Sequence, residues 1–160
     1  MRIRLAGVVE ESVADGPGIR MTVFTQGCPH HCPGCHNPHT HDPAGGEWYD
    51  TDELLARFAA RPRLAGLTIS GGEPLMQAEA AAALARGVKE LGKTVLLYSG
   101  YTIEELRESS QNDAAVKRLL AYTDTLIDGP FIEAERDISL AFRGSRNQRI
   151  IDMTKIPEDK

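Results

Sequence analysis

The sequence predicts an α/β fold in which a mostly parallel sheet forms an incomplete, open (β/α) barrel, and three observations carry that prediction. Strand-like and helix-like segments alternate from residue 19 onward. Several of the strand segments are continuous apolar runs, as expected where helices cover a parallel sheet and the crossovers are right-handed. The chain has 160 residues, whereas a closed barrel of eight units takes about 250. A chain of this length buries one good core, so a single domain over residues 1–160 is expected.

The elements follow in order. Residues 19–26 (IRMTVFTQ) form the first strand, with Met21, Val23 and Thr25 alternating against Thr22 and Phe24. A cysteine-bearing loop follows it directly, and the Pro- and Gly-rich stretch 41–46 is a surface loop. Asp50 and Glu53 have capping-box spacing and open a helix through Leu54, Leu55 and Phe58 to about Ala60. LTIS is a short buried strand ending at Ser70. An Ala-rich helix over 77–91 is closed by Gly92, and TVLLYS (94–99) is another buried strand. Thr102 and Glu105 repeat the capping-box spacing, a second helical stretch covers 114–121, and TLID and RIID are later strands. The cysteine loop, SGGEP, YSGY and DGPF each follow a strand end, so all four meet on one rim. In parallel α/β folds that carboxyl rim is where ligands bind.

Composition excludes several classes. A net charge of -5 and a pI near 5.5 disfavour nucleic-acid and anionic-membrane surfaces. No apolar run is long enough to span a bilayer. MRIRLAGVVEES has no apolar core suited to export, so a reducing, cytoplasmic compartment is expected.

Cys28, Cys32 and Cys35 lie within GCPHHCPGCHN and are the chain's only cysteines. An odd count argues against a disulfide framework. Three thiolates can hold a four-iron cluster while leaving one iron without a protein donor, open to a substrate. The structural alternative is a closed zinc site completed by one of His30, His31, His36, His39 or His41, as in a non-catalytic interaction module. SGGEP, residues 70–74, is the second signal. Gly71 and Gly72 permit close approach of backbone to a small ligand, and Glu73 can accept from a cationic ammonium, although a tight turn has the same composition. No Ser-His-Asp arrangement or catalytically spaced carboxylate pair is present.

Cys-x3-Cys-x2-Cys after the first strand, with GGE after a later one, resembles the radical S-adenosylmethionine (SAM) superfamily. DGPGIR (15–20), FTQGC and CHNP resemble its glycyl-radical-enzyme activating enzymes. LLYSGYTIEEL, LIDGPFIEAERDISLAFRGSRNQRIID and the short length are similar to the group that activates anaerobic ribonucleoside-triphosphate reductases. The resemblance covers residues 15–152. Pyruvate formate-lyase activases are the nearest enzymatic alternative, and three cysteines leave no ligands for an added ferredoxin-like domain.

The resemblance implies a radical SAM barrel in which Cys28, Cys32 and Cys35 bind a [4Fe-4S] cluster whose fourth iron chelates the SAM amine and carboxylate. Gly34, Cys35 and His36 would line the SAM pocket, and Gly72 with Gly71 and Glu73 would hold the methionyl end. Ser99 is either a pocket residue or a turn cap. Many relatives carry an aromatic just before the third cysteine; here Gly34 stands there, and His36 is the candidate for that contact. The implied activity is reductive cleavage of SAM by an external donor such as a flavodoxin, with the 5'-deoxyadenosyl radical then generating a glycyl radical on the reductase. Two readings stay open for DGPGIR, a chain reversal or an entry motif near the cluster. Arg136, Arg143, Arg146 and Arg149 are either a solvated surface or a docking face.

Overall fold

The computed structural model describes residues 1–30, 32–35 and 38–155. Its strands are β1 (Arg2–Ser12), β2 (Arg20–Thr25), β3 (Glu47–Asp50), β4 (Gly66–Gly71), β5 (Thr94–Tyr98), β6 (Thr125–Asp128) and β7 (Arg149–Asp152). The helices are α1 (Thr51–Ala59), α2 (Ala78–Glu90), α3 (Ile103–Ser110) and α4 (Ala114–Tyr122). One seven-stranded sheet runs in the order β3-β1-β2-β4-β5-β6-β7. The central strands β2, β4, β5 and β6 are mutually parallel, while β1 and β7 run against them. The end strands do not pair with each other, so the sheet is open, as expected for so short a chain.

Two strands add to the expected set. β1 and β3 form an antiparallel extension beside β2, with Ile3 opposite Tyr49 and Val8 opposite Val23. Ile3 and Leu5 point into the core and are fully buried. Arg2 and Arg4 sit over the Trp48 ring at 4.8 and 4.6 Å from its centroid, two cation–π contacts across the β1–β3 pair.

The register explains the two faces of the sheet. Met21 pairs with Leu67 and Val23 with Ile69; these in turn pair with Val95 and Leu97, and Leu97 with Leu126. All of them belong to the apolar core packed under the helices, where each large side chain stabilises by about 1.5–3 kcal/mol. The alternate positions point the other way, because side chains on a strand alternate between faces. That second set includes Phe24, Ser70 and Tyr98, all of which line a cavity on the concave side.

Helix boundaries have local causes. The Asp50 side chain accepts from Asp52 N and caps α1, but Glu53 pairs with Arg57 at 3.4 Å rather than completing the box. Thr102 and Glu105 form the full reciprocal box at α3. In α2, Gly87 leaves space that the Leu55 side chain of α1 occupies; a Cβ there would lie 2.5 Å from Leu55 Cδ1. Gly92, at φ 77, closes the helix as expected.

Candidate functional site

The cysteine loop leaves β2 and is tied at its base. The Gln26 amide donates to His39 O and Asp42 O at 2.9 and 2.7 Å, and Gly27 N donates to Thr40 O at 2.6 Å. Inside the loop Cys35 N donates to Cys32 O at 3.1 Å. None of the three cysteines is in a disulfide, and all are half-buried and line one cavity of about 500 Å³ at the carboxyl ends of the parallel strands. Burial pushes the Cys28 thiol up, and the negative charge of Glu73 adds to that. A thiolate there needs a positive partner, which a bound metal centre supplies. In number and chemistry the donor set fits a four-iron cluster. Among the described residues no three His, Cys, Asp or Glu side chains are already gathered as metal ligands.

Gly34 lines up in the left-handed region at φ 75, and a Cβ there would lie 3.0 Å from the Glu133 carboxyl carbon. The space before Cys35 thus faces a carboxylate from a distant loop. His36, the expected SAM contact, lies outside the described residues.

The SGGEP turn lies against the cysteine loop, backbone to backbone. Gly72 N donates to Thr25 O at 2.9 Å and Glu73 N to Gly27 O at 2.7 Å. A Cβ on Gly71 would run into the Thr25 backbone, and one on Gly72 into Gly27 O. The glycines are therefore demanded first by this crossing of two chain segments, and both also line the cavity. Glu73 is fully buried, beneath the rim, and does not line the cavity. Its oxygens accept from His30 Nε2 at 2.6 Å, Gly100 N at 2.7 Å, Ser99 Oγ at 2.9 Å and Leu75 N at 3.1 Å. Ser99 does two things at once: it lines the cavity, and its hydroxyl accepts from Tyr101 N at 3.0 Å while donating to Glu73.

The opposite wall comes from the segment after β6. Phe131, Phe142 and Arg143 line it. Phe142 sits at φ 61, a costly conformation for a side-chain-bearing residue, and its carbonyl accepts from the Tyr98 hydroxyl at 2.7 Å. Burial pushes the Tyr98 hydroxyl above its usual range, so it stays a donor. Among the described residues Arg143 is the single Lys or Arg in the cavity lining, and its buried Nε has no hydrogen-bond partner there. Spacing singled out this arginine only as one of a surface group. Its unpaired buried atom is a three-dimensional signal that no linear pattern carries.

The four arginines therefore part company. Arg149 grips buried Asp128 at 2.5 Å and Glu104 at 2.7 Å. Arg136 and Arg146 are exposed. In DGPGIR, Arg20 is buried and donates to Thr68 Oγ1, Leu67 O and Thr94 O at 2.9, 3.0 and 3.1 Å. That motif knits β2 to β4 and β5, while Asp15 of the same turn reaches the cavity lining.

Comparison with known proteins fits this geometry. A family described as a 4Fe-4S single cluster domain matches residues 14–151. The chain is 40% identical over 147 residues to the anaerobic ribonucleoside-triphosphate reductase-activating protein of Vibrio cholerae, spanning 86% of this chain and 90% of that one. It belongs to this family of activating enzymes. The Haemophilus influenzae and Escherichia coli K12 proteins of the same description are 35% and 32% identical, spanning 86% and 85% of this chain and 90% of each relative. QueE from Escherichia coli shares the fold, with a TM-score of 0.50 and 18% identity over 64% of this chain and 54% of that one. No helix among the described residues is long and apolar enough to cross a membrane.

Proposed function

We propose that this protein is a radical SAM activase that generates a glycyl radical on an anaerobic ribonucleoside-triphosphate reductase. The observation that carries the reading is the set of three thiols, without a fourth cysteine, on one cavity beside a glycine-lined rim. Cys28, Cys32 and Cys35 hold a [4Fe-4S] cluster, leaving one iron for the amine and carboxylate of SAM. Gly34, Cys35, His36, Gly71, Gly72 and Ser99 line the SAM pocket, and Glu73 holds the rim from beneath. The cluster and SAM together supply one-electron cleavage to methionine and a 5'-deoxyadenosyl radical, which takes one hydrogen from a glycine Cα of the reductase and leaves as 5'-deoxyadenosine. The chain's own work is to position these groups and to admit a loop of the partner protein through the open side of the sheet. The electron comes from an external donor such as a reduced flavodoxin in the cytoplasm.

The reductase is favoured over pyruvate formate-lyase because the relatives covering most of the chain carry the reductase-activating description. The test is anaerobic reconstitution with iron and sulfide, reduction, and addition of SAM with either candidate partner. The expected result is a brown protein that produces a glycyl-radical doublet in electron paramagnetic resonance (EPR) on the reductase. A colourless protein binding one zinc, or a doublet on the lyase alone, overturns the reading.

A further inference from the structure

We propose that His30 latches the cysteine loop into a niche built by Glu73, Gly100 and Tyr101, so that His30 and Glu73 are positioning residues for the three thiols. His30 lies between Cys28 and Cys32 in the chain, and its Nε2 is 2.6 Å from Glu73 Oε1. A carboxylate only accepts, so the imidazole donates through Nε2–H. The ring meets Tyr101 edge-on, with centroids 4.6 Å apart. On its remaining side lies Gly100, where a Cβ would sit 2.5 Å from both His30 Cδ2 and Nε2. No positive φ accounts for glycine at this position. The reason for glycine at 100 is room for the imidazole.

Glu73 is the fixed half of the latch. It is fully buried, and among the described residues its ion-pair partner is His30. A buried carboxylate is tolerable only when its lone pairs are filled. Ser99 Oγ, Gly100 N and Leu75 N fill three directions from the β4 and β5 ends, and the cysteine loop supplies the fourth through His30. Removing His30 leaves that oxygen short of a donor and removes the side-chain tie between the thiol segment and the ends of β4 and β5. The same turn continues into the far wall, because Gly129 N donates to Tyr101 O at 3.0 Å. The latch therefore ties together three strand ends that must stay in register for the thiols to meet one cluster. Its consequence for catalysis rests on the reading of the cysteines as cluster ligands; the latch itself does not.

The experiment compares His30→Ala, Gly100→Ala and His30→Gln with the parent. Gly100→Ala fills the niche while keeping the N–H that Glu73 needs. Gln places an amide donor near the Nε2 position. In cluster-free protein, alkylation of Cys28 and Cys32 by N-ethylmaleimide, followed by mass spectrometry, should accelerate about tenfold in the two Ala variants and stay within about twofold of the parent in His30→Gln, as expected for losing or keeping one hydrogen bond to a charged group. After reconstitution, the Ala variants should show altered EPR g-values of the reduced cluster and a weakened response to SAM, both restored in His30→Gln. Parental alkylation in both Ala variants overturns the proposal. So does acceleration in His30→Ala that Gly100→Ala does not share and His30→Gln does not repair. If the alkylation pattern holds but the parent itself gives no SAM response, the latch stands and the SAM reading fails.

Discussion

The two walls of the cavity are built by opposite means. The wall made by the cysteine loop, SGGEP and the end of β5 is tight: backbone lies on backbone at Gly72 and Gly27, and a buried carboxylate collects four donors beneath the rim. The wall made by residues 129–148 is a long irregular excursion between β6 and β7, with Ile138 89% exposed and Phe142 in a strained conformation. It has a few backbone ties, such as Arg146 N to Glu135 O at 2.9 Å, and is otherwise closed by side chains, with Asn147 donating to Pro130 O at 2.8 Å and Gln148 to Gly129 O at 3.0 Å. A wall that positions a metal centre gains from rigidity, since small displacements of reacting groups cost large factors in rate. A wall that receives another protein gains from exposure and adjustability. Substitutions on the first should damage cofactor chemistry, and exposed substitutions on the second, away from the cavity lining, should separate that chemistry from activation.

The largest effect is expected at the thiols. Replacing any one of Cys28, Cys32 or Cys35 by Ala should abolish iron loading and 5'-deoxyadenosine formation together, because no other cysteine can substitute. The check is iron and sulfide content alongside product analysis. Parental SAM cleavage in a single variant would remove that residue from the ligand set.

Gly72→Val comes next and tests what makes the first wall tight. The family resemblance implies that a side chain at 72 would meet only the methionyl end of SAM and leave the thiols alone. In the structure it meets Gly27 O, one residue before Cys28. The variant should therefore lose thermal stability, by about 1–3 kcal/mol as overpacking usually costs, and lose iron along with SAM affinity. Retention of full iron with loss of SAM alone would restore the simpler view.

On the second wall, Arg143 and Arg146 should separate. Arg143→Ala removes the one Lys or Arg of the lining among the described residues, whose Nε has no partner among them, and should weaken SAM binding by about 1.5–3 kcal/mol, the usual worth of a hydrogen bond to a charged group. Arg146→Ala, at an exposed position, should leave SAM cleavage untouched and slow activation of the reductase most at low salt. Titration calorimetry with SAM and the glycyl-radical EPR yield read the two effects. Equal loss of both in both variants would mean that the wall is one unit.

How much of this was legible beforehand follows from sequence distance. Caps, helices and the four central strands depend on neighbours a few residues apart, so Thr102 with Glu105 and the glycine after α2 could be read directly. β1 escaped because Arg2, Arg4 and Gly7 interrupt its apolar pattern, and β3 because four residues with no buried position carry little periodicity. The cysteine motif and the glycine pair announced the site. What each residue does there was not readable: Glu73 finds His30 across 43 positions and Gly100 across 27, and those partners decide whether its carboxylate meets a ligand or the chain itself. The arginines looked like one charged group for the same reason, since only their partners distinguish them.

The smallest expected effect lies at the anchor of the second wall, where Arg149 bridges Asp128 and Glu104. Asp128 is buried and also accepts from Ile103 N at 2.8 Å, so it serves packing. Glu104 is exposed, and its hydrogen bonds from Arg149 hold its carboxyl down at about 2. A carboxyl depressed on folding stabilises above its ordinary value of 4.5, and that contribution is lost as pH falls from there toward about 2. Because the pair is solvated, the contribution is small and screened by salt. The melting-temperature difference between parent and Glu104→Gln should therefore be modest at pH 6 and low salt, shrink on acidification toward pH 3, and shrink again in high salt, where the Debye length is about 3 Å at 1 M. Alkylation rates of the three cysteines should stay within about twofold of the parent in this variant, because Asp128 keeps its hydrogen bond from Ile103 N at 2.8 Å and Glu73 keeps its own donors. A pH-independent melting difference would mean that Glu104 acts through helix α3 rather than through Arg149, and a change in cysteine reactivity would show that the two walls are mechanically joined.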